Sequence, residues 1–348
     1  MLYIALLISL LLTILLTPLV IKLAVKTGIV DQPNNRKVHK KLMPRLGGLA
    51  IFGSFAITYL LFIDRTIEIW PIFAGGLIIT AVGIVDDVKQ ISPKAKLLGQ
   101  LLAALVTVLG GIQIDFVTLP FIDRVEFGFW AIPITIVWII GVTNAINLID
   151  GLDGLAAGVS SIAVFTISVF AVAMGNYLIA LIGFILLGST VGFLLFNFHP
   201  AKIFMGDTGS LFLGYMISVL AVSGLFKNVA MFSLLVPIII LAVPIIDTSF
   251  AIIRRVVNNK PLSSPDKLHL HHCLLRLGFS HRQTVLLIYL MSSMFSVAAV
   301  IFTEATIWGA TLLIIGLSII VELIVEITGL ISKDYRPILN YLDTKKQN

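Results

Sequence analysis

Residues 144–156 read Asn144-Ala145-Ile146-Asn147-Leu148-Ile149-Asp150-Gly151-Leu152-Asp153-Gly154-Leu155-Ala156. Two amides, two carboxylates and two glycines crowd into the end of one long apolar run, just before the next begins. Ionisable groups beside a bilayer are costly, and by default they mark an ion, substrate or proton site. On a helix Asn144 and Asn147 share a face, and Asp150 continues that stripe one turn on. Capping and a tight turn explain one aspartate but not the whole set. The rest of the chain is therefore read for partners to this stretch.

With 58% hydrophobic residues, 12% charged residues and a mean hydropathy of +1.07, the chain is not a soluble globular domain. A membrane span needs roughly 20 consecutive apolar residues. Such runs occur at 3–25, 46–63, 69–85, 95–111, 129–147, 155–174, 178–196, 209–225, 229–253, 284–302 and 306–328. The runs are continuous and lack strand-like alternation, so helices rather than a barrel are expected. The predicted fold is an all-α polytopic membrane bundle of about 11 helices. Residues 1–330 are expected to form one transmembrane domain and 331–348 a polar, loosely ordered tail. The opening segment lacks a basic start and a small-residue cleavage site, and reads as the first span. The single cysteine, Cys273, excludes an internal disulfide framework.

A net charge of +6 raises the question of nucleic acid. The distribution answers it. On an eleven-span topology one face keeps only Arg65, Arg124 and Lys227 of the 24 basic residues. The rich face is cytoplasmic by the positive-inside rule, which puts the N-terminus outside and the C-terminus inside. The charge is a topology signal, and no nucleic-acid partner is expected.

Three further motifs fall on the cytoplasmic face. Gly83-Ile84-Val85-Asp86-Asp87 closes the third span, with Lys89, Lys94 and Lys96 following. Adjacent carboxylates repel unless a cation sits between them. Magnesium is commonly held by one or two carboxylates plus substrate phosphates, which lysines would suit. Phe204-Met205-Gly206-Asp207-Thr208-Gly209-Ser210 opens the eighth span, and Asp207 there reads as an N-cap or a ligand. His269-Leu270-His271-His272 lies in the longest loop, where no familiar zinc spacing is completed. Asp247 could pair with an arginine or serve the site; Glu322 and Glu326 are open. Outside, residues 112–116 and 125–127 could pair as a hairpin across Pro120. Carboxylates for a metal, basic groups for phosphates and an apolar surround point to phosphoryl chemistry at the membrane surface. A secondary transporter is the competing class, but no inverted repeat or mid-membrane broken-helix pair is visible.

Asp86-Asp87, Asn144-x-x-Asn147-x-x-Asp150-Gly-x-Asp153-Gly, Phe204-Met-Gly-Asp207-x-Gly-Ser and His269-x-His271-His272 together resemble the polyprenyl-phosphate N-acetylhexosamine-1-phosphate transferases. The His-Leu-His-His run looks more like the GlcNAc-1-phosphate branch, which initiates teichoic acid, O-antigen or enterobacterial common antigen. The phospho-MurNAc-pentapeptide transferases are the near alternative. The resemblance implies a bacterial cytoplasmic-membrane enzyme with its site facing the cytoplasm. UDP-GlcNAc and undecaprenyl phosphate would give undecaprenyl-diphosphate-GlcNAc and UMP, with magnesium; manganese accepts the same ligands. It also implies roles. Asp207 would ligate the metal, helped by Asp86 or Asp87, either of which is the candidate base. Asp153 with Phe204 would hold the uracil. Asn144, Asn147 and Asp150 would order the metal–diphosphate region. His269, His271 and His272 would contact the diphosphate or sugar, beside Lys40 or Lys41. Family members often form homodimers, though no span here announces a small-residue seam.

Overall fold

The computed structural model describes residues 1–31, 42–64, 69–119, 123–226, 235–261, 264, 266, 268–331 and 335–341. The helices in chain order are α1 (Leu2–Thr27), α2 (Gly47–Phe62), α3 (Trp70–Lys89), α4 (Pro93–Leu109), α5 (Ala131–Ile149), α6 (Leu155–Ala173) and α7 (Tyr177–Asn197). They continue with α8 (Gly206–Ala221), α9 (Leu235–Ile240), α10 (Ala242–Val257), α11 (Leu270–Arg276), α12 (His281–Glu304) and α13 (Ile307–Thr328). Two antiparallel strand pairs and a short helix at 337–341 are also present among the described residues. β1 (Val30–Asp31) pairs with β2 (Met43–Pro44), and β3 (Phe116–Leu119) with β4 (Asp123–Glu126). The second pair is a hairpin in the expected loop, but its first strand starts at Phe116, where the expected one ended. Lys40 and Lys41 lie outside the described residues.

The chain is a polytopic helical membrane protein. Among the described residues eight helices are long and apolar enough to cross a bilayer, and all correspond to expected spans. The second, fourth and ninth expected spans are realised as shorter helices. The ninth differs most, since it is broken at Leu241 between α9 and α10. Pro244 explains the break: it offers no N–H to the carbonyl four residues back, and its ring crowds that turn.

The bundle is organised around α8, whose side chains are almost all buried. It packs against α2, α3, α5 and α6. Large exposed apolar side chains instead stud α1 and α13, at the bundle's periphery. Without water to drive helices together, close backbone approach and interhelical hydrogen bonds do that work. Gly48 of α2 faces Gly209 of α8 so closely that a methyl on either would overlap the other helix's backbone. Hydroxyl pairs tie other helices, with Thr13 and Ser54 Oγ atoms 2.5 Å apart and Thr107 Oγ1 2.6 Å from the Tyr215 phenol.

The stretch after α13 is more anchored than its polarity predicts. Buried Glu326 accepts hydrogen bonds from the N–H groups of Ile338 and Leu339, at 2.7 and 2.9 Å. A carboxylate beneath the first turn of a short helix satisfies donors that would otherwise be orphaned.

Candidate active site

The N-terminus of α8 is capped from another helix. Asp87, in the last turns of α3, accepts from the Asp207 N–H at 2.9 Å and the Thr208 N–H at 2.9 Å. It also accepts from Thr208 Oγ1 at 2.6 Å. Arg45 Nε adds an ion pair to Asp87 at 3.1 Å. Asp207 therefore is not the N-cap of its own helix, as its sequence position suggested; it sits in the first turn behind Met205. Gly206 makes this possible. Its φ is +70°, and a side chain there would run into the Asp87 carboxylate and the Arg45 carbonyl.

With α8 capped by Asp87, the Asp207 carboxylate is free to face outward. It pairs with Lys96, accepts from Asn147 Nδ2 at 3.2 Å and lies 3.8 Å from Arg45 Nη2. Lys96 Nζ also lies 2.8 Å from Asp86 Oδ2, while Asp86 Oδ1 accepts from the Ile91 N–H at 3.0 Å. Asp86 and Asp207, from two helices, thus converge on one cationic point. In this structure the Lys96 ammonium stands there. A hard divalent cation takes the same all-oxygen donor set, so the acids fit a magnesium-type ion.

From α5, Asn147 also donates to Ser210 Oγ at 2.8 Å, fixing α5 to α8. Asn144 is turned elsewhere, exchanging amide hydrogen bonds with Gln100 of α4 at 2.8 and 3.2 Å. Beyond α5 the chain turns at Gly154 (φ +79°), which is held from both sides. Its N–H donates to Asn197 Oδ1 at 3.0 Å, and its carbonyl accepts from the Tyr289 hydroxyl at 2.5 Å. Burial, then the charges of Asp207 and Asp87, push the Asp150 carboxyl up to about 7. Asp153 accepts from the Ala201 N–H at 3.1 Å and pairs with His199 Nδ1 at 2.8 Å.

The three histidines of the His-Leu-His-His run do different things. Only His272 lines the cleft described below. His269 is buried, with Nδ1 2.9 Å from Asp247 Oδ2, and the other Asp247 oxygen accepts from the Leu270 N–H at 2.8 Å. Asp247 thus fixes the start of α11, and its partner is a histidine; Arg254 instead pairs with Asp266. His271 packs against Gly151, and both its ring nitrogens are buried without a hydrogen-bond partner among the described residues. Burial, then neighbouring His272, drive its imidazole down to about 3.

These elements enclose a cleft of about 870 Å³, lined by Asn147, Asp150, Asp153, Phe204, Asp207 and His272 among others. That volume suits a ligand of sugar-nucleotide size. The structure gathers six predicted site residues on its wall and sets Asn144, His269 and His271 behind it. The sequence did not single out Arg45, His199 or Gln100, and it left Asp247 open between an arginine partner and the site. Lys96 was visible only as one of three lysines after Asp86-Asp87. Helical spacing carries no signal for such long-range pairs. A second group also emerges: ligand atoms of Asp153, His199 and His281 lie within 4.8 Å of one another.

Residues 69–225 match the model of glycosyl transferase family 4. A probable undecaprenyl-phosphate N-acetylglucosaminyl 1-phosphate transferase of Bacillus subtilis is 52% identical, over 90% of this chain and 88% of the relative. A decaprenyl-phosphate N-acetylglucosaminephosphotransferase of Mycolicibacterium smegmatis is 36% identical, over 88% and 83%. A phospho-N-acetylmuramoyl-pentapeptide-transferase of Halalkalibacterium halodurans is 32% identical, over 76% and 85%.

Proposed function

The chain belongs to glycosyl transferase family 4, and from that premise we propose that it transfers GlcNAc-1-phosphate from UDP-GlcNAc to undecaprenyl phosphate. The products are undecaprenyl-diphosphate-GlcNAc and UMP. The observation that carries this reading is the convergence of Asp207, Lys96 and Arg45 on the wall of a cleft that Asp153 and Phe204 also line, with Asp86 paired to Lys96. Acidic and basic groups suited to a metal-bound diphosphate share this cleft with an aromatic residue suited to stacking on a base. The GlcNAc branch is favoured by the higher identity to relatives named for it.

In the reaction, an oxygen of the lipid phosphate attacks the β-phosphorus of UDP-GlcNAc, which bears the sugar. The bond from that phosphorus to the bridging oxygen breaks, and UMP leaves with the electron pair. Asp86 and Asp207 are the residues that would hold a magnesium ion, which supplies Lewis-acid stabilisation of the diphosphate charge. Lys96 and Arg45 hold the transferred phosphoryl oxygens. Asp87 keeps the N-terminus of α8 aimed at the cleft, so that Asp207 meets the substrate in a fixed position. Asp86, whose Oδ2 faces the same point, is the better placed of the two acids to accept a proton from the lipid phosphate. Asp153 and Phe204 bind the uracil and His272 the sugar or diphosphate.

The site belongs at the cytoplasmic surface of a bacterial cytoplasmic membrane, a reading supported by the basic residues of its loops. The single transferase domain spans 1–330. Purified protein in detergent, given radiolabelled UDP-GlcNAc, undecaprenyl phosphate and magnesium, should move label into the lipid extract. Transfer from UDP-MurNAc-pentapeptide alone would assign it to the sister branch.

A further inference from the structure

Asp153, His199 and His281 come from three separate parts of the chain: the turn before α6, the loop after α7 and the first residue of α12. Their ligand atoms nonetheless lie within 4.8 Å of one another, on the wall of the cleft. The two imidazoles stack at 4.2 Å between centroids, tilted by 21°. Stacked imidazoles repel when both carry a proton, and each presents a lone pair when neutral. Both ring nitrogens of His281 are buried and make no hydrogen bond among the described residues. A half-buried imidazole whose ring nitrogens are shielded from solvent, beside a carboxylate–histidine pair, is placed to ligate an ion.

The support around the group is of the kind that orients metal ligands. The Ala201 N–H holds Asp153 Oδ2 at 3.1 Å. The Tyr289 hydroxyl on the Gly154 carbonyl pins α12 to the turn carrying Asp153. Two nitrogens and one carboxylate oxygen are a poor set for magnesium and a good one for zinc or another borderline d-block ion, with one position left open to the cleft.

We propose that Asp153, His199 and His281 form a second cation site, selective for zinc-type ions and separate from the all-carboxylate site of Asp86 and Asp207. An ion there would occupy the carboxylate that the proposed function assigns to uracil, so zinc would oppose sugar-nucleotide binding; that consequence alone rests on the proposed function.

The test is binding, independent of turnover. Tag-free protein in detergent, with magnesium in large excess, is titrated with Co2+ and followed by visible absorption. One equivalent should bind with the intense bands of low-coordinate, nitrogen-ligated cobalt. Affinity should fall by at least about tenfold in both His199→Gln and His281→Gln, and stay unchanged in Asp207→Asn and His272→Gln. X-ray absorption of the zinc-loaded wild type, which needs no variant to fold, should report two imidazole ligands. Weak bands of all-oxygen cobalt, an absence of imidazole ligands, or bands lost in His272→Gln and kept in His199→Gln and His281→Gln would each overturn the proposal.

Discussion

Lys96 Nζ lies 2.8 Å from Asp86 Oδ2 and is simultaneously paired with Asp207, so one ammonium joins the ends of α3 and α8. A cation between two carboxylates relieves a repulsion that would otherwise oppose the packing of those helix ends. Divalent metal and Lys96 therefore compete for one place. Replacing Lys96 with Met should lower the Tm of metal-free protein and enlarge the rise in Tm on adding magnesium, while transfer activity falls by at least about tenfold for want of a phosphate-binding cation. Differential scanning fluorimetry in detergent reads both shifts. An unchanged magnesium response would separate Lys96 from the metal position.

Asp87 is adjacent to Asp86 but does other work, because its oxygens are committed to the α8 N-terminus and Arg45. Charge-assisted hydrogen bonds of this kind contribute about 1.5–3 kcal/mol each. Asp87→Asn should therefore cost stability, lowering Tm clearly. Asp86→Asn should leave Tm nearly unchanged and abolish transfer. The pair of variants, measured for melting and for transfer, separates positioning from chemistry.

Two groups beside the cleft, half-buried Asp150 and buried His271, give opposite pH dependences. Asp150 is raised to about 7, above the value near 3.9 of an exposed aspartate. Its contribution to the stability of metal-free protein is full below about pH 4 and lost as pH rises through about 7. His271 is lowered to about 3. Its contribution is full above about pH 6.5 and lost as pH falls towards 3. Asp150→Asn should remove a loss of Tm that the wild type shows as pH rises from about 4 to about 7, and His271→Gln should remove a loss it shows as pH falls from about 6.5 towards 3. Parallel profiles for wild type and both variants would contradict these assignments.

Gly48 and Gly141 form a matched test of packing. A methyl at Gly48 meets the backbone of α8 at Gly209, whereas one at Gly141 meets nothing within 4 Å. Overpacking costs roughly 1–3 kcal/mol or more when backbone must move; an unobstructed helical Gly→Ala gains about 0.5–1 kcal/mol. Gly48→Ala should lower Tm and transfer together, and Gly141→Ala should hold or raise Tm.

Much of the fold was legible because the bilayer imposes a length on apolar runs, and those runs stand out in this chain. The break in the ninth span was not legible because a run of apolar residues hides the effect of one proline, Pro244, on backbone pairing. The site was legible as motifs but not as roles. Asp86, Asp87 and Asp207 look alike in sequence, yet one caps a helix and two face a cation. Nothing local marks Asp247 as the partner of His269, 22 residues away, or His199 as that of Asp153. Those pairings exist only once the helices are packed.

The group moved is a sugar phosphate, not a bare sugar. The most direct measurement uses UDP-GlcNAc radiolabelled in its β-phosphate, with undecaprenyl phosphate, magnesium and purified protein, and Asp207→Asn alongside. Transfer of the sugar phosphate puts label in the lipid and unlabelled UMP in solution, with neither formed by the variant. Label retained in soluble UDP while GlcNAc reaches the lipid would contradict it, because the bond broken would then lie on the sugar side of the β-phosphate.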